Sequence, residues 1–223
     1  MLWLKESIEK SKILRDSWSL NGIQIFIKDK LPENFDMKFV INYINSRISS
    51  HMMKGVDVIY IGEFEEMEQR DINAFFEDGA IYVTNEQDNE MDMIDDIIHE
   101  IAHAVEREYV DLIYSGTIER EFLAKRERLF YILRTEGHRI TPVFKVKTEY
   151  DELIDDFLYR EVGYDKLNNL VNGLFVSAYA STSLSEYFAR GFEEFHMGDV
   201  NYLRKISPVL YSILESLKEL EEQ

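Results

Sequence analysis

One run of apolar residues constrains this chain more than any other feature. Met91, Ile94, Ile98, Ile101, Ala102, Val105, Tyr109 and Leu112 recur at spacings of three and four, so residues 90–112 should form a long helix packed on a core by one face. Asp88 or Asn89 can cap it, and Glu90, Asp92, Asp95 and Asp96 complement the positive end of its dipole. The stretch IIHEIAH, residues 97–103, lies on this helix and places His99 and His103 one turn apart with Glu100 beside the first. At about 100° per residue the two histidines are about 40° apart and roughly 100° to 140° from the centre of the stripe, away from the core.

Two imidazoles in this relation can bind one Zn²⁺ at about 2.0 to 2.1 Å each without distorting the backbone, and the adjacent Glu can take a proton from water at the metal. The bland alternative is a solvated polar face that happens to carry two histidines. A catalytic zinc takes three protein ligands and an open position. Metzincins would need Gly and His where this chain has Glu106 and Tyr109, and the thermolysin-like Asn-Glu-x-x-Ser-Asp is absent where the chain reads TIEREF, residues 117–122. Farther on, SAYASTSLSEYFARGFEEFH, residues 177–196, offers Glu186 near a helix start. Glu186 can equally close a Ser-x-x-Glu capping box with Ser183, and Tyr179 in GLFVSAYA reads by itself as a packed core tyrosine. His138, in TEGHR, and Glu136 are the alternative third ligands, whereas His51 and His196 read as surface or structural.

The pattern around this helix predicts an α+β fold: a small N-terminal sheet with helices, the histidine-bearing helix, and a mostly helical C-terminal lobe. Helical spacing covers residues 2–18 and 35–48; strands are expected at 22–28, bounded by Asn21-Gly22, and at 56–62 and 80–84. After residue 90 the expected helices are 90–112, 118–135, 150–172 with a break at Gly163, and 183–196. A last one has Ser207 as N-cap, Pro208 at its first position and Leu210, Ile213, Leu217 and Leu220 on its apolar face. With no repeat or Gly/Ser linker, residues 1–223 read as one domain, with lobes at 1–112 and 113–223.

Charge and composition narrow the partners. Lys and Arg number 25 against 43 Asp and Glu, a formal charge of -18, which disfavours nucleic acid and anionic lipid and would attract a cationic peptide, or simply keep the chain soluble. The absence of Cys rules out disulfides and thiol chemistry. The longest largely apolar runs, such as 170–180, fall short of the ~20 residues that cross a bilayer. The opening MLWLKESIEKSK lacks the features of a secretory signal, so the expectation is a cytoplasmic protein, with export or carriage by a larger particle as the alternative. No oligomeric state is indicated.

HEIAH, a later Tyr179, a seven-residue step to Glu186 and then EYFARGF together resemble the catalytic domain of anthrax lethal factor and its relatives, the Pro-Pro endopeptidases. The stretch 79–106 also looks like that family's edge strand leading into its active-site helix; direct motif matching covers about 50 residues, a small share of the chain. The resemblance implies a zincin-like fold and a gluzincin site with one zinc per chain, held by His99, His103 and Glu186. It also implies Glu100 as general base, Tyr179 assisting the oxyanion, and an endopeptidase that hydrolyses an extended peptide lying on the strand edge at 80–84; the acidic charge of the chain favours basic substrate segments. Two features depart from the family. Glu186 stands 83 positions after His103 (186 less 103), which implies inserted helical material, and Arg190 occupies the place of an acidic residue four after the ligand. The competing function is a catalytically silent zincin-fold binding or scaffold protein, against which the retained Glu100 argues.

Overall fold

The computed structural model describes residues 18–70 and 72–220. The chain divides into two compact units, Met1–Glu108 and Tyr109–Gln223, each described here by itself. The expected helix over 2–18 lies outside the described residues, except that Trp18 opens a strand. Among the described residues, no helix is long and apolar enough to cross a membrane.

The first unit is built on a five-stranded mixed sheet of order β1-β2-β3-β5-β4, made from β1 (Trp18–Leu20), β2 (Ile23–Ile27), β3 (Val58–Ile61), β4 (Ala74–Glu77) and β5 (Ala80–Val83). Two hairpins with two-residue turns frame it. In both, an Asx-Gly pair adopts positive φ, Asn21 and Gly22 at 49° and 90°, Asp78 and Gly79 at 48° and 88°, as a turn matched to right-handed strand twist requires. Between β2 and β3 the chain crosses over through α1 (Met37–Arg47), capped by Asp36, whose carboxylate accepts from the Phe39 amide at 3.0 Å; β2, β3 and β5 therefore run parallel. A short α2 (Glu65–Arg70) precedes β4.

The sheet corrects one expectation. The strand at 80–84 is not an edge: β5 pairs in parallel with β3 on one side and antiparallel with β4 on the other. The terminal strand on this side of the sheet is β4, which reads poorly as a strand in isolation but is pinned by the Asp78-Gly79 turn. One sheet face carries Ile25, Ile59, Ile61, Ile81 and Val83, all buried. Along the other, Phe26, Tyr60, Tyr82 and Phe75 stack across four strands with centroids 5.7, 5.3 and 4.5 Å apart, a cross-strand ladder that holds the register.

The second unit is helical: α4 (Val110–Ile113), α5 (Thr117–Thr135), α6 (Glu152–Asp156), α7 (Tyr164–Leu170), α8 (Leu184–Met197), α9 (Val200–Ile206) and α10 (Pro208–Glu219), with a π-helical turn over Phe157–Val162 ending at Gly163. Central α5 buries charged side chains that tie down the loops. Lys125 donates to the Leu174 carbonyl at 2.8 Å and to Ser207 Oγ at 2.6 Å; Glu121 accepts from the Val209 and Leu210 amides at 2.9 and 3.1 Å and from the Tyr187 hydroxyl at 2.8 Å. Ser207 thus sits at the N-cap position of α10 without capping it through its side chain, and the carboxylate of Glu121 satisfies those amides instead. Leu210, Ile213 and Leu217 are buried as expected, whereas Leu220 is exposed. Gly191 lets α8 approach α10, because a Cβ there would fall 2.2 Å from Leu210 Cδ2.

Candidate metal centre

The long helix, α3 (Glu90–Glu108), begins where expected. Asn89 Oδ1 accepts from the amides of Met91 and Asp92 at 2.8 and 3.2 Å, so Asn89 is the cap. It ends earlier than expected, at Glu108. Its buried stripe is Met93, Ile94, Ile97, Ile98, Ile101, Ala102, Ala104 and Val105, while Met91 is exposed. His99 and His103 flank that stripe and are half-buried, and Glu100 is buried, not solvated.

The two imidazoles face each other edge-to-face, centroids 4.9 Å apart, with their Nε2 atoms at 3.2 Å. Two ring nitrogens can face each other so closely only with a proton or a cation between them. The spacing fits a metal: ligands at about 2.0 to 2.1 Å in a tetrahedron stand about 3.3 Å apart. On the far side of His103, Nδ1 lies 3.1 Å from Glu106 Oε2. An ionised carboxylate only accepts, so Nδ1 carries the proton and Nε2 keeps its lone pair for a cation, the carboxylate–histidine arrangement that orients metal ligands. Glu106 was visible in the sequence only as one acidic residue among several on that flank; its spacing of three from His103 was the available signal. Asp96, one turn before His99, is half-buried and accepts from Gln87 Nε2 at 2.9 Å; desolvation raises its carboxyl above the ordinary range, with Gln87 opposing.

In the second unit the turn before α8 sets Tyr179 and Glu186. Tyr179 opens a 3₁₀ turn, Tyr179–Ser181, and Thr182 Oγ1 donates to its carbonyl at 2.8 Å. Ser183 caps α8, accepting from the Glu186 amide at 3.1 Å, the serine half of the expected capping box. Arg126, fully buried on α5 and stacked 3.9 Å over Phe144, donates through Nη1 to the carbonyls of Lys147 and Thr182 at 3.2 Å each. The Leu184 amide reaches the Thr148 carbonyl at 2.7 Å, so the start of α8 is fixed from two directions. Desolvation drives the Arg126 guanidinium down to about 9, with Asp151 opposing.

Tyr179 is partly buried, and desolvation, then the charges of Glu186, Asp155 and Tyr150, raise its phenol well above the ordinary range, with Arg190 opposing. It therefore stays a hydroxyl donor at neutral pH. Arg190 lies 5.6 Å over the Tyr179 ring and donates to Glu193 at 2.6 Å. The basic residue at this unexpected place thus holds the tyrosine ring and the carboxylate three residues on.

Of the three expected ligands, His99 and His103 stand on α3 of the first unit and Glu186 in the first turn of α8 of the second. The alternative third ligands, Glu136 and His138, both lie against Lys166, at 3.2 Å each. His196 is buried against Phe192, with centroids 4.4 Å apart. Compared with known proteins, the chain matches no family model, no curated protein and no solved structure.

Proposed function

We propose that the protein is a zinc-dependent endopeptidase with His99, His103 and Glu186 as metal ligands. The observation that carries this reading is the imidazole pair on α3, with Nε2 atoms 3.2 Å apart and Glu106 behind His103, and with Glu100 buried on the same helix. Zinc bound there would act as a Lewis acid and make water available as a nucleophile near neutral pH. Glu100, next to His99 on α3, takes the proton from the attacking water and delivers it to the leaving amine, a role worth roughly 10² to 10⁴ in rate. The Tyr179 hydroxyl, kept protonated by its surroundings, donates to the oxygen that gains charge.

An extended substrate would pair with β4, the terminal strand that packs on α3, and not with β5. Metal analysis of the purified chain, joined to cleavage of a mixed peptide library by the native protein and Glu100→Gln, tests the reading. About one equivalent of zinc in both and cleavage only by the native chain is expected. Absence of metal, or equal cleavage by both, would overturn it.

A further inference from the structure

Tyr179 sits in a bracket built by two short helices of the second unit. Two side chains of α7, one turn apart, meet its segment. Asn168 Oδ1 accepts from the Ala178 amide at 2.7 Å, and the Tyr164 ring meets the Tyr179 ring edge-to-face with centroids 6.4 Å apart. Asn168 therefore fixes the backbone just before Tyr179, while Tyr164 borders the ring itself. Ser177 Oγ accepts from the Ala180 amide at 3.2 Å and closes the same turn on its other side.

Tyr164 is in turn fixed from α6. Asp155 accepts from the Tyr164 hydroxyl at 2.9 Å through one carboxylate oxygen and from the Tyr150 hydroxyl at 3.1 Å through the other. Hydrogen bonds to an ionised acceptor are roughly twice as strong as neutral ones, so this clamp holds the tip of the Tyr164 ring firmly. Desolvation, then the hydrogen bond and charge of Asp155, raise the Tyr164 phenol, which keeps it protonated and donating. The Tyr159 ring, from the π-helical turn between the two helices, stands edge-on to Tyr164 with centroids 5.4 Å apart. A π-helical turn is rare and recurs at functional sites.

A tyrosine ring turns about two side-chain bonds, and a hydroxyl that meets a developing charge has to stand at hydrogen-bond distance from where that charge forms. We infer that Asp155 and Tyr164 are positioning residues for Tyr179: Asp155 locks the Tyr164 ring, and that ring holds the Tyr179 ring in place. The effect on rate rests on the peptidase reading, whereas the holding is a property of the second unit alone.

The test joins ring motion to kinetics in the full chain, with Asp155→Ala, Asp155→Asn and Tyr164→Phe each checked by melting temperature and zinc content. Tyrosine ring ¹³C line shapes, assigned with Tyr179→Phe, report how often the Tyr179 ring flips. Asp155→Ala and Tyr164→Phe should speed that flip about tenfold or more, and Asp155→Asn less, because its amide oxygen still accepts from one phenol. On a cleaved peptide the first two should lower kcat about tenfold to 10²-fold with KM and zinc little changed. Neither should lower it further in a Tyr179→Phe chain, whereas a merely structural loss would add. If Asp155→Ala fails to fold, Tyr164→Phe, which keeps the ring, carries the test. An unchanged flip rate, an unchanged kcat, or a loss that adds fully to that of Tyr179→Phe would overturn the inference and leave the peptidase reading intact. A faster flip in a chain whose native form cleaves no peptide would do the reverse.

Discussion

Ser183 Oγ accepts from the Glu186 amide at 3.1 Å, so the proposed third ligand rides on a helix start capped by its own neighbour. Capping and the proposed ligation therefore call on different atoms of one residue: the backbone amide serves the cap, and ligation would use the carboxylate. The two roles separate by mutation. Ser183→Ala should cost about 1 kcal/mol of stability by thermal melt and leave zinc stoichiometry unchanged. Glu186→Ala should lose or weaken zinc in equilibrium dialysis. Full zinc retention by Glu186→Ala would assign that carboxylate to the helix alone.

Glu106 lies 3.1 Å from His103 Nδ1 and would act on a bound metal through that ring. Glu106→Ala should weaken zinc about 10- to 100-fold in a chelator competition, and Glu106→Gln less, because an amide oxygen still accepts from Nδ1. The ¹⁵N shifts of His103 in the metal-free protein should show the Nδ1–H tautomer in the parent and a mixture in Glu106→Ala. Identical shifts would remove Glu106 from this role.

Removing the Tyr179 hydroxyl tests the oxyanion assignment. Tyr179→Phe should bind zinc normally and lower kcat by roughly 10² to 10³, with KM little changed. A wild-type kcat would leave Tyr179 as a packing residue held under Arg190.

Lys125 makes stability depend on pH. Burial lowers its ammonium from the usual 10.5 to about 8. Between those values the unfolded chain binds the proton and the folded chain does not, so stability rises with pH from about 8, by up to about 3 kcal/mol. The phenols of Tyr164 and Tyr179, partly buried, and of Tyr187, fully buried, have raised values and oppose this above pH 10, where the unfolded chain ionises first. Urea denaturation should therefore show a rise from pH 8 toward pH 10 and then a fall. Lys125→Met should abolish the rise; a parent profile that is flat or declining over this range would contradict the assignment.

Much of the site's local part was legible in the sequence, because its signals act over one or two turns. The period of α3 set which side carries His99 and His103, Asn89 marked its start, Gly163 marked the break after the π-helical turn, and Ser183 marked the start of α8. The Asp78-Gly79 pair carried a hairpin signal as plain as Asn21-Gly22, and reading it would have revealed β4. AFFE, residues 74–77, is short and not clearly alternating, so periodicity gives no strand there. Ser207 misled for a related reason: a hydroxyl at an N-cap position satisfies the local rule, but the stronger acceptor, Glu121, arrives from α5, 88 positions away from Val209.

By itself, then, the sequence determined the helices, their caps, the turns and the polar flank that bears the histidines, since each follows from dihedral preference and from the burial of side chains three or four apart. Only the tertiary structure decided that β4 and not β5 ends the sheet on that side, that Arg126 and Glu121 satisfy loops far along the chain, and that Glu136 and His138 turn to Lys166. Those outcomes depend on which distant segments bury each other's apolar surface and satisfy each other's polar groups. That balance belongs to the whole fold, and no window of neighbouring residues contains it.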